Sequence, residues 1–342
     1  FYAGHLITSG ECNTFIGKYA GKKLTTGTRN IALGSLSMHC GTVTGNGNIA
    51  FGSYSLMCVS SGAKNISIGG YTLQKCTTSG ACNIAIGEKA GRCLAGNCNI
   101  AIGCIAMRSL NGGSGNDNIA IGNATMSCLS SGAGNIAIGK DTMKRITSGT
   151  CNVSVGHQAL GANADLTGGC NLVLGFYAGR VTTSGSYNVL LGTVTGECIT
   201  TGCFNTFLGN AAGRCTTEGS NNIAIGCRPQ LPSLTGDHQM IIGIGNSTWI
   251  SGTSDFNVGI GTTNVSSKLT VTGDACVSGV ITASNFAKAD GSSLGGFEQD
   301  SQGNLVAGTG AGAAKDSDTC FNIMLGCNAG AALNQGDQNI LI

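Results

Sequence analysis

One pentapeptide, Asn-apolar-small-apolar-Gly, recurs along this 342-residue chain and restricts it to a stacked, repetitive fold. Copies open at Asn13, Asn30, Asn48, Asn65, Asn83, Asn99, Asn118, Asn135, Asn152, Asn171, Asn188, Asn205 and Asn222. Variants at Gln239 (Gln-Met-Ile-Ile-Gly) and Asn257 (Asn-Val-Gly-Ile-Gly) extend the array, and the register resumes at Asn304, Asn322 and Asn339. Successive starts in the first array lie 16 to 19 residues apart, most often 17. A fixed period near 20 residues marks a solenoid, whose units cannot bury an apolar face alone and so cover one another.

The fifth residue is Gly in all fifteen copies of the first array, from Gly17 to Gly261, and the fourth is always apolar. Another Gly lies three residues before the Asn in fourteen of the fifteen. Asn-Ile-Ala-Ile-Gly reads as a short strand whose second and fourth residues share one face, with the small third residue on the other. The two Gly columns bracket it at turns, where positive φ costs Gly little. A helix would lose about 1 kcal/mol at each of these glycines. Parallel rungs about 4.8 Å apart would place Ile16, Leu33, Phe51, Ile68, Ile86, Ile102, Ile121 and Ile138 in an axial core column. The Asn residues would stack into an amide ladder. The small third residue would face outward, suited to close approach of a sister chain. The fold expected is all-β: a parallel β-roll or β-solenoid with coils of about 17 residues.

These residues carry a family resemblance. The unit Ser-Gly-x-x-Asn-Ile-Ala-Ile-Gly-x-x-Ala, for example residues 79–90, resembles the head repeat of YadA-type trimeric autotransporter adhesins. The resemblance covers roughly residues 1–262 and 299–342, and the unit here is about three residues longer than the usual head repeat. Similar longer repeats occur in tail-fibre-like proteins of phages, particularly phages of marine cyanobacteria. The segments 257–264, 267–274 and 277–284 resemble the linker strands of such fibres. The resemblance implies a left-handed roll with three chains side by side, hence a homotrimer.

Three regions are expected: repeats over 1–262, a strand-containing neck or insertion over 263–298, and resumed repeats over 299–342. Pro229 and Pro232 precede the Gln239 copy and, unable to donate to a ladder, are expected to mark a bulging loop. Phe1-Tyr-Ala-Gly4 matches Phe176-Tyr-Ala-Gly179, which lies mid-unit, and the sequence stops at Ile342 before the expected Gly. The chain is therefore expected to be a window on a longer protein.

Composition narrows the function. Fifty-eight Gly with only 2 Pro and no Gly-X-Y period exclude collagen. A net charge of +2 leaves no electrostatic footprint for nucleic acid or acidic lipid. No apolar run approaches the ~20 residues of a membrane helix, so no membrane insertion is expected.

The 18 Cys follow the repeat. Cys12, Cys82, Cys98, Cys151 and Cys170 directly precede their Asn, while Cys40, Cys58, Cys93, Cys128, Cys198 and Cys215 lie ten residues after theirs. With no Cys-x-x-Cys and no Cys/His cluster at zinc spacing, a metal site is not indicated. The Cys serve as small buried hydrophobes or form rung-to-rung or interchain bridges, because rung spacing matches the Cα separation a disulfide tolerates.

Lys22, Arg92, Arg108, Lys144, Arg180 and Arg214 form a basic column nine residues after the Asn. Such a stripe either grips sialic or sulfated glycans or is a solvated edge that discourages stray pairing. His5, His39, His157 and His238 occupy unrelated repeat positions and suggest no triad. The 16 carboxylates show no recurring pair of the kind a glycosidase requires. No cofactor is expected.

Three functions follow in order. The first is a structural, non-enzymatic segment of a homotrimeric phage tail or attachment fibre, extracellular on the virion. Its partners would be its own copies, other tail proteins, and a host polysaccharide or receptor. The second is a bacterial surface adhesin head that binds matrix or glycan. The third is a polysaccharide depolymerase with its site between chains.

Overall fold

The computed structural model describes residues 1–274, except 42, 75–78, 110–111, 162 and 164. Beyond these it describes 275–276, 278, 298–299, 303–307, 311, 313, 322–325, 328–333 and 338–341. The chain divides into two compact units, Phe1–Asp274 and Ala275–Ile342. No described residue is helical.

In the first unit each of the first twelve pentapeptides contributes one three-residue strand. These are β1 (Thr14–Ile16), β2 (Ile31–Leu33), β3 (Ile49–Phe51), β4 (Ile66–Ile68), β5 (Ile84–Ile86) and β6 (Ile100–Ile102), then β7 (Ile119–Ile121), β8 (Ile136–Ile138), β9 (Val153–Val155), β10 (Leu172–Leu174), β11 (Val189–Leu191) and β12 (Thr206–Leu208). Each pairs in parallel with the next, equivalent residue on equivalent residue: Ala120 lies opposite Ala137, and Ile121 opposite Ile138. The stack is a β-solenoid whose turn count follows the repeat count.

Register is locked by the amide ladder. Asn118 Oδ1 accepts the Asn135 backbone N–H at 3.0 Å and Asn135 Nδ2 at 3.0 Å. Asn118 Nδ2 donates to the Gly132 carbonyl at 2.9 Å and to Asn99 Oδ1 at 3.1 Å. The same exchange runs from Asn13 to Asn205. Asn30 to Asn222 are buried, yet the amide dipoles are satisfied from rung to rung, which is what makes a buried polar column tolerable.

The facing of the strands is the reverse of the sequence expectation. The core is built on the third residue of the pentapeptide: Ala32, Ala50, Ala85, Ala101, Ala120 and Ala137 are fully buried. Ile16, Phe51, Ile68, Ile121 and Ile138 are exposed on the chain, and Leu33, Ile86 and Ile102 are half-buried. The supposed core column therefore lies outside, with Ile121 36% and Ile138 38% exposed. The physical reason is the narrowness of the coil. Its interior is already filled from the opposite wall by residues seven, eight and eleven after the Asn, such as Ala90, Met126 and Leu129.

Sizes at the third residue and at the residue eight after the Asn are reciprocal. Ala32, Ala120 and Ala137 accompany Met38, Met126 and Met143, all fully buried. Where the third residue is large, the partner is Gly. A Cβ on Gly21 would fall 2.6 Å from the Phe15 ring, one on Gly196 would fall 2.9 Å from Leu190, and one on Gly213 would fall on the Phe207 ring. These coils thus fill their interior by one of two routes, while the Ala85/Gly91 coil, small at both places, has its space taken by Leu73 of the neighbouring rung.

The two conserved-position glycines of the repeat serve different ends. Gly122 has φ +135°, and a Cβ there would meet the Gly139 carbonyl of the next rung at 2.6 Å. Gly132, before its Asn, has no positive φ, against the expectation of a turn conformation. It is required because an added Cβ would come 2.5 Å from the Gly149 carbonyl. Left-handed backbone falls instead on non-glycine residues, as at Asp141 (φ 56°), Met143 (φ 45°) and Cys151 (φ 56°).

The expected bulge at the prolines is not found. Pro229 is buried and its carbonyl accepts the Gly213 N–H at 3.0 Å, so the rung stays docked. It replaces a residue such as Ala212, whose N–H makes only a local turn bond. Above it the parallel ladder changes character. β13 (Ile223–Cys227) pairs in parallel with β14 (Met240–Ile244), which turns back antiparallel into β15 (Ser247–Gly252). β15 pairs antiparallel with β16 (Val258–Ile260), and β16 pairs in parallel with β17 (Leu269–Val271). The Gln239 side chain closes the amide ladder. The Gln239 backbone N–H donates to Asn222 Oδ1 at 2.8 Å, but Nε2 turns back to its own rung, to the Ser233 and Gly236 carbonyls.

In the second unit β18 (Glu298–Gln299) runs antiparallel to β19 (Leu305–Ala307), which pairs in parallel with β20 (Ile323–Leu325) and then β21 (Ile340–Leu341). Asn322 bonds Asn304, and Asn339 bonds Asn322, as in the first ladder. Most of the expected insertion at 263–298 lies outside the described residues.

Candidate functional site

The outer face of the ladder in the first unit is apolar. Strand alternation sends the second and fourth residues of each pentapeptide outward, so two columns run side by side over β1–β12, aliphatic except at Thr14, Phe51 and Thr206. The stripe of stacked apolar residues is half-buried to exposed on the chain, and a contiguous apolar face of this kind marks an interaction surface when it is large.

The basic column has a mixed make-up. It also contains His39, Gln74, Ser127 and Glu197. Lys22 Nζ lies 4.8 Å from the Tyr19 ring centroid and 5.8 Å from that of Tyr2. Arg92 Nε donates to Gln74 Oε1 at 3.1 Å. Lys144 pairs with Asp141 at 3.1 Å. Arg180 and Arg214 bracket the buried Glu197 carboxylate at 3.0 and 2.8 Å, a neutralising rung between two cationic ones. The Glu197 hydrogen bond pushes the Arg214 guanidinium further up. Arg108 has no ion-pair partner among the described residues. Five of the six are thus held by a nearby acceptor or ring, and the column does not act as a continuous cationic stripe.

A groove of about 540 Å³ opens beside this column, lined by Asn210, Arg214, Arg228 and Gln230 with Val194, Ala211 and Cys215. Arg228, the residue sequence reasoning missed, stands there in a left-handed conformation (φ 58°) without a carboxylate partner among the described residues. Its column holds Tyr19, Tyr54, Tyr71 and Tyr177 on other rungs, so only the lone Arg could have drawn attention to it.

The preceding-Asn Cys column is exposed, against the expectation of small buried hydrophobes, and the column ten residues after the Asn is intermediate to exposed at Cys40, Cys58, Cys93, Cys128, Cys198 and Cys215. Burial and the neighbouring Cys40 thiol push the Cys58 thiol up to about 11. Stacked aromatics recur on the surface: Tyr54 on Tyr71 at 4.9 Å and Tyr187 on Phe204 at 4.9 Å. Burial lowers the His39 imidazole below its ordinary value. Among the described residues no three His, Cys, Asp or Glu side chains converge as a metal site.

Comparison with protein-family models, with curated proteins and with solved structures found no match.

Proposed function

We propose that this chain is a segment of a homotrimeric viral attachment fibre of the phage tail type, a left-handed solenoid serving as a stiff, non-enzymatic spacer. Three copies pack through the two outer aliphatic columns, and the assembly holds a receptor-contacting part away from the particle. The observation that carries this reading is the exposure of Ile121, Ile138 and their rung equivalents on a chain whose own core is already full. The likeness of the repeat to adhesin heads and phage fibres supports the same assembly.

The test is the mass in solution and its response to Ile121→Asp with Ile138→Asp. A single chain is 34.1 kDa. The expected result is a particle of three chains that falls to one chain in the variant, with the β-sheet spectrum retained because neither position is in the core. A wild-type monomer unaffected by the substitutions would overturn the assembly.

A bacterial adhesin head is the second reading, and the Arg214–Arg228 groove favours it. Binding of a sialylated or sulfated oligosaccharide, lost in Arg228→Ala, would move the assignment from spacer to adhesin.

A further inference from the structure

The geometry points to Cys82 and Cys98, and likewise Cys40 and Cys58, as built disulfide sites that staple one coil to the next within a single chain.

Cys82 and Cys98 occupy the same place on consecutive rungs, and the backbone fixes both. Cys98 N–H donates to the carbonyl of Ala81, the residue before Cys82, at 3.0 Å. Ala81 N–H donates to Asn97 Oδ1 at 2.8 Å. On the other side, Asn99 N–H and Nδ2 both bond Asn83 Oδ1, at 3.0 and 3.2 Å. Both cysteines are left-handed, with φ 59° and 55°, so their Cβ atoms leave the two rungs in the same sense. A rung spacing of about 4.8 Å falls within the Cα separation of roughly 4.4–6.8 Å that a disulfide spans. Desolvation and the neighbouring Cys82 thiol together push the Cys98 thiol up from its ordinary value. Both residues are exposed, which gives an oxidant access. Cys40 and Cys58 repeat the arrangement in the column ten residues after the Asn. Cys40 N–H donates to the Met57 carbonyl at 2.6 Å, and burial with the neighbouring Cys40 thiol raises the Cys58 thiol.

The chemistry is thiol–disulfide exchange with a small disulfide such as oxidised glutathione. One protein thiolate attacks a sulfur of the small disulfide, forming a mixed disulfide and releasing one small thiol. The facing thiolate then attacks the protein sulfur and expels the second. Two protein thiols become one disulfide, and two electrons and two protons leave with the two small thiols. The product ties together residues a full coil apart, so that a rung can no longer peel from its neighbour alone.

The test uses the reduced chain, assembled from an equal mixture of ordinary and ¹⁵N-labelled protein and treated with oxidised glutathione. Remaining thiols are blocked with N-ethylmaleimide, and the protein is digested without reduction for mass spectrometry. The expected product is a Cys82–Cys98 linked peptide, two hydrogens lighter than its parts and always of one isotope. Cys98→Ser should abolish it and reduce the upward shift in urea midpoint that oxidation gives the wild type, and Cys98→Ser with Cys58→Ser should abolish the shift. Mixed-isotope links would show a bridge between chains and overturn the proposal. Cys82 and Cys98 recovered separately as blocked thiols or glutathione adducts would overturn it as well.

Discussion

The reciprocal sizes across the coil permit a substitution that should fail alone and succeed in company. Phe207 is fully buried and its ring occupies the space a side chain at Gly213 would need. Phe207→Ala alone should leave a ring-sized void and cost about 3–5 kcal/mol. Gly213→Met alone drives a side chain into the ring and should cost about 1–3 kcal/mol or more by overpacking. The backbone adds little to that cost. Gly213 has φ +56°, and Met126 and Met143 occupy the same place at φ 48° and 45°. The double variant recreates the Ala120/Met126 and Ala137/Met143 arrangement and should recover most of the loss, an interaction of about 3 kcal/mol. Urea unfolding followed by circular dichroism, on all four members of the cycle under one oligomeric state, measures it. Losses that simply add, with the double variant least stable, would refute the reciprocal-packing argument.

Asn118→Ala should cost about 1–3 kcal/mol in urea unfolding, because it leaves the Asn135 backbone N–H and the Gly132 carbonyl without partners in a buried column and removes one acceptor of Asn135 Nδ2. Gly122→Ala should do at least as much damage, since the added methyl meets the next rung's backbone, which has no flexible end to move aside. Loss of circular-dichroism signal at lower urea would register both; an unchanged midpoint for either would count against the stacked register. Reduced protein should lose stability on the alkaline side. The Cys58 thiol is raised from 9.0 to about 11 in the fold. Its contribution is therefore complete below pH 9 and lost as pH climbs toward 11. Cys58→Ser should remove that part of the alkaline slope in urea midpoints measured across this range.

Much of the architecture could be read from the chain alone. The recurrence of Asn and Gly at fixed offsets sufficed for short parallel strands, in-register stacking and the amide ladder. Which strand face is the core could not be read from alternation, because Ile at the second and fourth positions out-competes Ala as the obvious interior residue. Ile86→Asp would accordingly act on an outer, half-buried position and not between the rungs of the core. The deciding signal was present but subtler: Phe15 with Gly21 and Phe207 with Gly213, against Ala120 with Met126, are pairs that make sense only if the third residue points inward. The basic column misled for a different reason. Selecting Lys and Arg from a column hides Glu197 within it, and it is that carboxylate which occupies Arg180 and Arg214. Exposure of the Cys before each Asn follows from left-handed backbone at that residue, which composition does not announce.

The inward small residue and outward aliphatic columns can be tested together by methyl-labelled nuclear magnetic resonance. Ala120, Ala137, Met126 and Met143 belong to one buried cluster, whereas Ile121 and Ile138 face away from it. Cross-peaks should therefore join the Met126 and Met143 methyls to those of Ala120 and Ala137, with none reaching the Ile121 or Ile138 δ-methyls. Methionine cross-peaks to the isoleucines in place of the alanines would mean that the strands face the other way and that this assignment of core and contact surface is wrong.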